Sequence, residues 1–304
     1  MIAQPSAGLP LRRPLQATFR SDLEIESWSV GATRHTFMPH AHPSNVVALI
    51  EDGEVLVTLN QTPFHCRPGA IILITAWTRH TATPIDGRGW AYSSFSIPTS
   101  TVHRTADQLK VSPSISLPNG VIYNSGLFKS LQSSQHAGDG QANLRALRQL
   151  LSAAGGLAGQ SVSRYSAAVA STLEVFHTQF HQPIRLMDVV PKVGLSIFRL
   201  IRAFNEELGF TPHEYLMLWR TEQARHFIRR GETLAQTALL CGFYDQPHLN
   251  RHFKRVYGLT PAQYAFAVHD ATGRTGSISS KKSAPQLPIF TSEQAKTSVS
   301  AASA

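Results

Sequence analysis

The sequence predicts an α+β protein of two domains: an N-terminal β-barrel with trailing helices, and a C-terminal all-α domain that contains two helix-turn-helix units in tandem. Three observations predict this fold class. The chain has 304 residues, which is enough for about two domains of ordinary size. Residues 19–98 contain short β-branched runs separated by Gly and Pro. From about residue 141, apolar residues recur at intervals of three and four, which indicates helices.

The barrel is predicted from the runs Asn45–Ile50, Glu54–Leu59 and Ala70–Thr75. Asp52-Gly53 lies between the first two runs, and an Asp-Gly pair in that position predicts a β-hairpin. Several short strands separated by turns are typical of a small antiparallel barrel or sandwich.

Two helices are predicted after the barrel. Leucines from Leu144 to Leu151 recur at helical spacing and stop at Gly155, and a second helix is predicted from Ser163 to Phe180. Beyond His269 the chain is rich in Ser, Thr, Ala and Lys, which predicts disorder. The expected segments are a disordered N-terminus (1–18), a barrel (19–98), linking helices (99–180), a domain with two helix-turn-helix units (181–269) and a disordered tail (270–304).

Composition limits the function classes. Apolar residues make up 42% of the chain and charged residues 15%, so a sizeable core is expected and wholesale disorder is excluded. No apolar run reaches the ~18–20 residues that span a bilayer, and the first residues lack the pattern of a signal peptide. Cys66 and Cys241 offer neither a metal motif nor a disulfide framework. We therefore expect a reduced, cytoplasmic protein with no membrane partner. The net charge of +9 favours a polyanionic partner without identifying one.

The C-terminal half contains two stretches with the same internal order. In each, a short apolar helix reaches a glycine, turns, and continues into a second helix. Gly194 and Gly242 fit the left-handed position of such a turn, and Ser196 and Asp245 can cap the helix that follows. A longer helix, Pro212–Arg230, fits between the two units.

The second helix of a helix-turn-helix unit enters the major groove of DNA and reads bases with its exposed face. In each unit, two apolar residues four positions apart face the core, so the opposite side of the helix is available. Arg202 and Arg251 are candidates for bidentate contacts to guanine, and Arg199, Lys254 and Arg255 are candidates for phosphate contacts. The full set of candidate DNA-contacting residues is Ser196, Phe198, Arg199, Ile201, Arg202, Gln246, Pro247, His248, Arg251, Lys254 and Arg255.

The stretch GFYDQPHLNRHFKRVYGLTPAQY at 242–264 resembles the C-terminal signature of AraC/XylS-type transcriptional regulators, and residues 193–234 match the rest of that domain. The resemblance implies seven helices whose two recognition helices enter successive major-groove segments on one face of double-stranded DNA. It also implies RNA polymerase as a partner, and a homodimer contact through the helices at about 141–180. The apolar stripes of those helices could equally pack on the barrel. Pro247 stands where many members have a polar residue, so we expect the second unit to make fewer hydrogen bonds to bases.

Residues 35–98 resemble the cupin-like arm of one branch of the same regulators. The matching pieces are HTFMPHAH at 35–42, RPGA at 67–70, WTRH at 77–80 and GRGWAY at 87–92. The resemblance implies that the barrel binds a small-molecule effector, for which an amino-acid-like compound is the first expectation. A ligand site is usually apolar with a few polar groups. The candidate pocket residues are His40, His42, Trp77, His80, Trp90 and Tyr92.

His40, His42 and His80 also raise the question of a metal. Histidines two apart on a strand point the same way, and a third from a later strand could complete a facial set. Cupin enzymes add a glutamate a few residues after the histidine pair, and residues 43–47 contain no carboxylate. Three neutral imidazoles could bind zinc, but they are not the oxygenase pattern. We expect these histidines to line the pocket, with no metal, cofactor or catalytic residue assigned.

The sequence therefore predicts a sequence-specific DNA-binding transcriptional regulator that is controlled by a small molecule in its barrel and is not an enzyme. Two alternatives stay open. One is a cupin-type metalloenzyme with an appended DNA-binding domain. The other is an effector-independent regulator whose barrel is purely structural.

Overall fold

The computed structural model describes residues 16–20, 25–85, 87, 89–109, 117–137, 140–154 and 165–271. The strands in these residues are β1 (Gln16–Arg20), β2 (Ile25–Thr33), β3 (Phe37–His40), β4 (Ser44–Asp52), β5 (Val55–Leu59), β6 (Thr62–Cys66), β7 (Ala70–Ile74), β8 (His80–Pro84), β9 (Trp90–Pro98) and β10 (Gly120–Tyr123). The helices are α1 (Thr99–Gln108), α2 (Ser125–Ala137), α3 (Gly140–Ala154), α4 (Ala167–Gln179), α5 (Leu186–Val193), α6 (Ile197–Leu208), α7 (Pro212–Arg229), α8 (Leu234–Leu240), α9 (Gln246–Tyr257) and α10 (Pro261–Ala271).

The strands form two antiparallel sheets. The larger sheet has the order β1-β2-β9-β4-β7-β10, and the smaller has the order β3-β8-β5-β6. One core cluster joins side chains of both sheets, and a second joins the larger sheet to α1, α2 and α3. The larger sheet is therefore covered on both faces, by the smaller sheet on one side and by helices on the other.

Strand β7 shows how the sequence encodes this layering. All five of its residues are buried. Ile71 and Leu73 pack toward the helices, whereas Ala70, Ile72 and Ile74 pack toward the smaller sheet. A strand that is buried on both faces has no solvent side, and its sequence is therefore a continuous apolar run rather than an alternating one.

The hairpin predicted at Asp52-Gly53 is wrong. β4 pairs with β7 and β9, whereas β5 pairs with β6 and β8. Gly53 has a φ of +74°, so the turn is sharp, but it carries the chain from one sheet to the other. The hairpin in this region joins β5 to β6 through Asn60 and Gln61, which have φ values of 44° and 75°. Positive φ at both central residues is the requirement of a type I′ turn.

The segment predicted as linking helices contains other structure as well. β10 lies within it and pairs with β7, so the sheet extends beyond residue 98. The second predicted helix begins later than Ser163, because Ser166 caps α4 by accepting a hydrogen bond from the Val169 amide. At the predicted disordered ends, residues 16–18 belong to β1 and residues 270–271 to α10. The rest of both ends lies outside the described residues.

Helices α4 to α10 share one core, and it includes Phe176 of α4, Phe204 of α6 and Tyr215 of α7. These are seven helices, the number that the family resemblance implies. The helical domain thus begins with α4, before the expected boundary at 181. The apolar stripes of α3 and α4 are buried within the chain, against the sheet and against the helical domain. A dimer contact would therefore have to use other side chains of these helices.

The turn chemistry predicted for the two helix-turn-helix units is confirmed. Gly194 and Gly242 adopt φ values of +67° and +73°. Ser196 caps α6 by accepting from the Arg199 amide, and Asp245 caps α9 by accepting from the His248 amide. The central helix α7 ends one residue before the predicted Arg230.

Cys66 and Cys241 are both buried and free. Within the described ranges, no helix is long and apolar enough to span a bilayer.

Candidate DNA interface and effector cavity

The first recognition helix, α6, exposes the side that the sequence predicts. Leu200 and Phe204 are fully buried, whereas Phe198 is 81% exposed. Arg199 and Ser196 are exposed, and Ile201 is half-buried. The exposed Arg202 donates from Nε to Glu206 at 2.8 Å along the same face. Because the pair uses Nε, a base contact by Arg202 would be made by its terminal guanidinium nitrogens.

The second recognition helix, α9, exposes Pro247, Arg251 and Lys254, while Gln246 is half-buried. His248 is half-buried, and its ring contacts the turn before the helix. Its ring packs edge-on against that of Phe243 at 5.4 Å, and its Nδ1 accepts a hydrogen bond from the Tyr244 amide. The imidazole therefore fills the turn rather than projecting freely from it.

Tyr244 is an exposed aromatic residue that is not among the predicted DNA contacts. It is 88% exposed and lies in the turn between the buried Phe243 and the helix cap Asp245. The available signal was an aromatic side chain directly before a capping residue, on the face that carries the arginines.

The C-terminal ends of both recognition helices contact the barrel. Arg79 donates to the carbonyl of Gly209, the residue that caps α6, at 2.9 Å. Arg255, in the last turn of α9, is exposed and donates to the Pro39 carbonyl at 3.4 Å. The predicted phosphate contact of Arg255 therefore competes with a contact to the barrel. Gly258, at the end of α9, lies so close to Phe37 that an added Cβ would come within 2.8 Å of the ring.

A cavity of about 130 Å³ lies between the barrel and the helical domain. We call it the interdomain cavity. Its barrel walls are mostly apolar and come from both sheets, and its remaining wall consists of residues of α7, α9 and α10. Engineered apolar cavities of about this size hold a molecule as large as benzene.

Five of the six predicted pocket residues, His40, His42, His80, Trp90 and Tyr92, line the interdomain cavity. Trp77 does not. It has a φ of 62°, and its ring stacks on Tyr215 of α7 with centroids 4.5 Å apart. Its place is therefore in the interface between the two domains, where it packs against the core of the helical domain.

The cavity wall also contains a charged network that the sequence did not predict. Glu26 of β2 accepts from Arg225 at 2.6 Å, from Arg229 at 2.6 Å and from the Tyr264 hydroxyl at 2.9 Å. Arg225 also donates to Glu222 at 2.5 Å. Because Glu26 belongs to the barrel and its partners to α7 and α10, the network joins the two domains.

The Tyr257 hydroxyl donates to Glu222 at 2.5 Å and completes the network. We call these residues, Glu26, Glu222, Arg225, Arg229, Tyr257 and Tyr264, the Glu26 network. Burial raises the pKa of Glu26, but Arg225 and Arg229 outweigh it, so that the pKa lies below its usual value. Burial also raises the pKa of Glu222, but Arg225 outweighs it, so that this pKa lies well below its usual value. Both carboxylates are therefore ionised and balanced by arginines. In the sequence, this network could have been recognised from the charged residues at 222, 225 and 229, which lie on one side of the central helix.

One donor of the network, the Nε–H of Arg225, has no hydrogen-bond partner in the described residues. Arg225 itself is buried. A buried N–H without a partner costs about 1–3 kcal/mol. This unsatisfied N–H belongs to a side chain that lines the cavity.

Two protein-family models match the chain in the same order as the domains. The AraC-like ligand binding domain matches residues 23–173, and the helix-turn-helix domain matches residues 190–266.

Relatives and solved structures extend over most of the chain. The HTH-type transcriptional regulator YbfI of Bacillus subtilis (strain 168) is 25% identical over 75% of this chain and 86% of its own length. The HTH-type transcriptional activator RhaS of Shigella sonnei is 21% identical over 74% and 86%. The fold is similar to that of unsaturated fatty acid bound ToxT from Vibrio cholerae, at 12% identity and a TM-score of 0.55, over 84% of this chain and 98% of that one.

The two domains, their order and their turn chemistry agree with these matches. The chain belongs to the AraC-type family of DNA-binding transcriptional regulators and carries an N-terminal ligand-binding domain.

Proposed function

We propose that this regulator responds to a small molecule that binds in the interdomain cavity and changes how the barrel holds the two recognition helices. The single observation that carries the proposal is the double lining of the cavity, by barrel strands on one side and by α7, α9 and α10 on the other. A ligand in that position contacts both domains at once, and can therefore favour one arrangement of them over another.

The route from the cavity to the DNA-binding face is short. Val256 and Tyr257 of α9 line the cavity, and they belong to the same helix as Arg251. A ligand that displaces the end of α9 from the barrel moves the whole helix, because a helix of three turns behaves as a rigid rod at this scale. The contacts of Arg255 and Gly258 with the barrel are the ones that such a movement breaks.

The cavity favours an effector that is mostly apolar and carries an oxygen acceptor. Val57 and Ile72 are examples of its apolar walls, and the buried guanidinium of Arg225 is a cationic group in its lining. The fatty acid of the ToxT complex has this chemistry, with an apolar chain and a carboxylate. We propose a small carboxylic acid as the effector class. An amino acid, the first expectation from the sequence, belongs to the same test.

We further propose the DNA contacts by residue. Arg202 and Arg251 read bases, and Arg199 and Lys254 bind phosphates, because these arginine and lysine side chains are exposed on the outer faces of α6 and α9. Pro247 lacks a donor, so the second unit relies on Arg251. Phosphate contacts supply much of the affinity, which should fall steeply with salt.

The regulator is proposed to act in the cytoplasm on promoter DNA, with RNA polymerase as a protein partner. It is also proposed to form a homodimer through the helices at about 141–180. It is proposed to have no catalytic activity. The family relatives support these proposals only in that they are transcriptional regulators.

The proposal is tested with the full-length chain in two stages. Double-stranded DNA that the chain binds is selected from a random pool, and carboxylic acids and amino acids are screened by thermal shift. A ligand at a hundred times its dissociation constant adds ~2.7 kcal/mol of stability.

Two matched variants on neighbouring residues of β5 localise the binding. Val57 lines the cavity and Leu56 is 41% exposed, so Val57→Phe fills the cavity whereas Leu56→Phe does not. We expect the shift to vanish in Val57→Phe and to persist in Leu56→Phe. A shift that persists in both variants contradicts the proposed location. No shift with any compound, in a chain that binds DNA, favours the effector-independent regulator.

A further inference from the structure

Three histidines converge at the barrel end of the interdomain cavity. His40 ends β3 and His80 begins β8, and these residues are directly opposite each other in the antiparallel pair. His42 follows two residues after His40. The ring centroids of His80 lie 4.1 Å from those of His40 and 4.8 Å from those of His42. We call these residues the three-histidine cluster.

Each ring is oriented by the backbone in the same way. Nδ1 of His40 lies 2.8 Å from the Met38 carbonyl, and Nδ1 of His80 lies 2.8 Å from the Thr78 carbonyl. Nδ1 of His42 is 2.9 Å from the carbonyl of Ser44. Because a carbonyl only accepts hydrogen bonds, Nδ1 carries the proton in all three rings. Nε2 is then the nitrogen with the free lone pair.

Nitrogens of the three rings also lie close together. One ring nitrogen of each histidine lies within 4.8 Å of the other two. Burial lowers the pKa of His40 to about 3, and it also lowers the pKa of His42 and of His80, so the rings stay neutral at physiological pH. Neutral imidazoles that donate Nδ1–H to a carbonyl have the orientation of metal-ligating histidines.

The spacing fits one ion after a small adjustment. Zinc–nitrogen bonds of ~2.0–2.1 Å place tetrahedral ligands roughly 3.3 Å apart. The ring nitrogens, which lie within 4.8 Å of one another, would have to move closer together on binding the ion. The nearby carboxylates of Glu26 and Glu222 are held by arginines, so they are not available as ligands.

We propose that His40, His42 and His80 bind one divalent transition-metal ion of the zinc class through their Nε2 atoms. Imidazole nitrogen suits zinc, copper, iron and nickel, whereas magnesium and calcium prefer oxygen. Three protein ligands leave a coordination position that faces the cavity, where the oxygen of a bound carboxylate can become the fourth ligand.

The test uses full-length protein without a histidine tag. The chain is stripped with chelator and titrated with Co²⁺, whose visible absorption reports tetrahedral nitrogen coordination, and Zn²⁺ is then added as a competitor. We expect one Co²⁺ per chain, loss of the absorption when Zn²⁺ displaces it, and a higher unfolding temperature with either ion. A wild-type chain that binds no Co²⁺ overturns the inference.

Variants localise the ion. His42→Ala and His80→Gln should weaken Co²⁺ binding by more than about a hundredfold, since losing even an outer partner of a ligand costs ~10–100-fold. His65→Ala is the control, because His65 is exposed and pairs with Glu54. Equal binding by all three variants overturns the proposed ligands.

A readout on the wild-type chain guards against variants that do not fold. In ¹⁵N-histidine spectra, Zn²⁺ should shift the Nε2 signals of the three-histidine cluster and leave that of His65 unchanged; the reverse pattern overturns the inference. The inference stands apart from the proposed function. A chain that binds effector and DNA but no metal overturns the metal site alone, whereas a metal-binding chain without an effector overturns only the proposed function.

Discussion

Glu26 is the side chain on which the contact between the domains depends most. It is buried, it belongs to the barrel, and it accepts hydrogen bonds from two arginines and a tyrosine of the helical domain. A buried ion pair adds little compared with an apolar pair, but removing one partner leaves an uncompensated charge in the interior. Glu26 is therefore a sensitive place to test the interface.

Glu26→Gln should lower the free energy of unfolding by about 3–5 kcal/mol at pH 7, because Arg225 and Arg229 lose their carboxylate. The folded-state pKa of Glu26 lies below its usual value, so its stabilisation is present above about pH 4.3 and is lost as the pH falls. Urea denaturation at a series of pH values should show the wild type and the variant converging in acid.

Glu54→Gln is the matched control. Glu54 is partly exposed and pairs with His65, so its loss should cost about 1 kcal/mol or less. If Glu26→Gln is no more costly than this control at pH 7, the Glu26 network does not hold the domains together.

The second residue-level prediction concerns the two arginines that are proposed to read bases. Arg202→Ala or Arg251→Ala should weaken binding to selected DNA by ~1–3 kcal/mol and relax specificity at one base pair each. Lys254→Ala, the phosphate control, should weaken binding to all sequences about equally and reduce the salt dependence. Titrations of labelled DNA with single base-pair changes distinguish these patterns. A uniform loss in the arginine variants would show that they bind phosphates instead.

At the scale of helices and strands, the sequence predicted the turns and helix caps, which depend on a few neighbouring residues. The turns at Gly194 and Gly242 and the caps Ser196 and Asp245 are as expected, because a left-handed turn and a capping oxygen act within a few residues. The hairpin at Asp52-Gly53 failed for the opposite reason. The turn is present, but the partner of each strand is decided by which face it buries against distant strands.

The two turn glycines form a matched pair for the third prediction. A Cβ at Gly194 meets nothing within 4 Å, so Gly194→Ala costs only the left-handed backbone, ~1–2 kcal/mol. A Cβ at Gly242 would lie 2.7 Å from the Phe180 carbonyl oxygen and 2.9 Å from an Arg220 nitrogen. Gly242→Ala should therefore destabilise the chain more. Thermal unfolding of both variants measures the difference, and equal costs would show that the turn relaxes to remove the clash.

At the scale of the whole molecule, the sequence predicted both domains and five of the residues that line the cavity, but not how the domains meet. The five predicted residues that line the cavity belong to short local motifs between residues 35 and 92. The interface was missed because its members, such as Glu26, Arg225 and Trp77, come from distant segments and have partners only in the folded chain. A charged residue on the buried side of a helix indicates an interdomain ion pair only when its distant partner is known.

The interface between the domains also suggests how a ligand in the cavity could act on the recognition helices. The barrel contacts the ends of both recognition helices, through Arg79 at Gly209 and through Phe37 and Pro39 at the end of α9. The interdomain cavity lies among these contacts. Control of DNA binding then requires only that the effector prefer one arrangement of the domains by a few kcal/mol.

The most direct measurement is the affinity of the full chain for its selected DNA with and without a saturating effector, together with the affinity for the effector with and without DNA. Coupling between sites is reciprocal, and typical couplings of 1–3 kcal/mol change affinity about 5–150-fold. We expect both affinities to change by the same factor in this range, and the change to disappear in Val57→Phe because that variant no longer binds the effector. An effector that binds in the cavity and leaves DNA affinity unchanged would contradict the account.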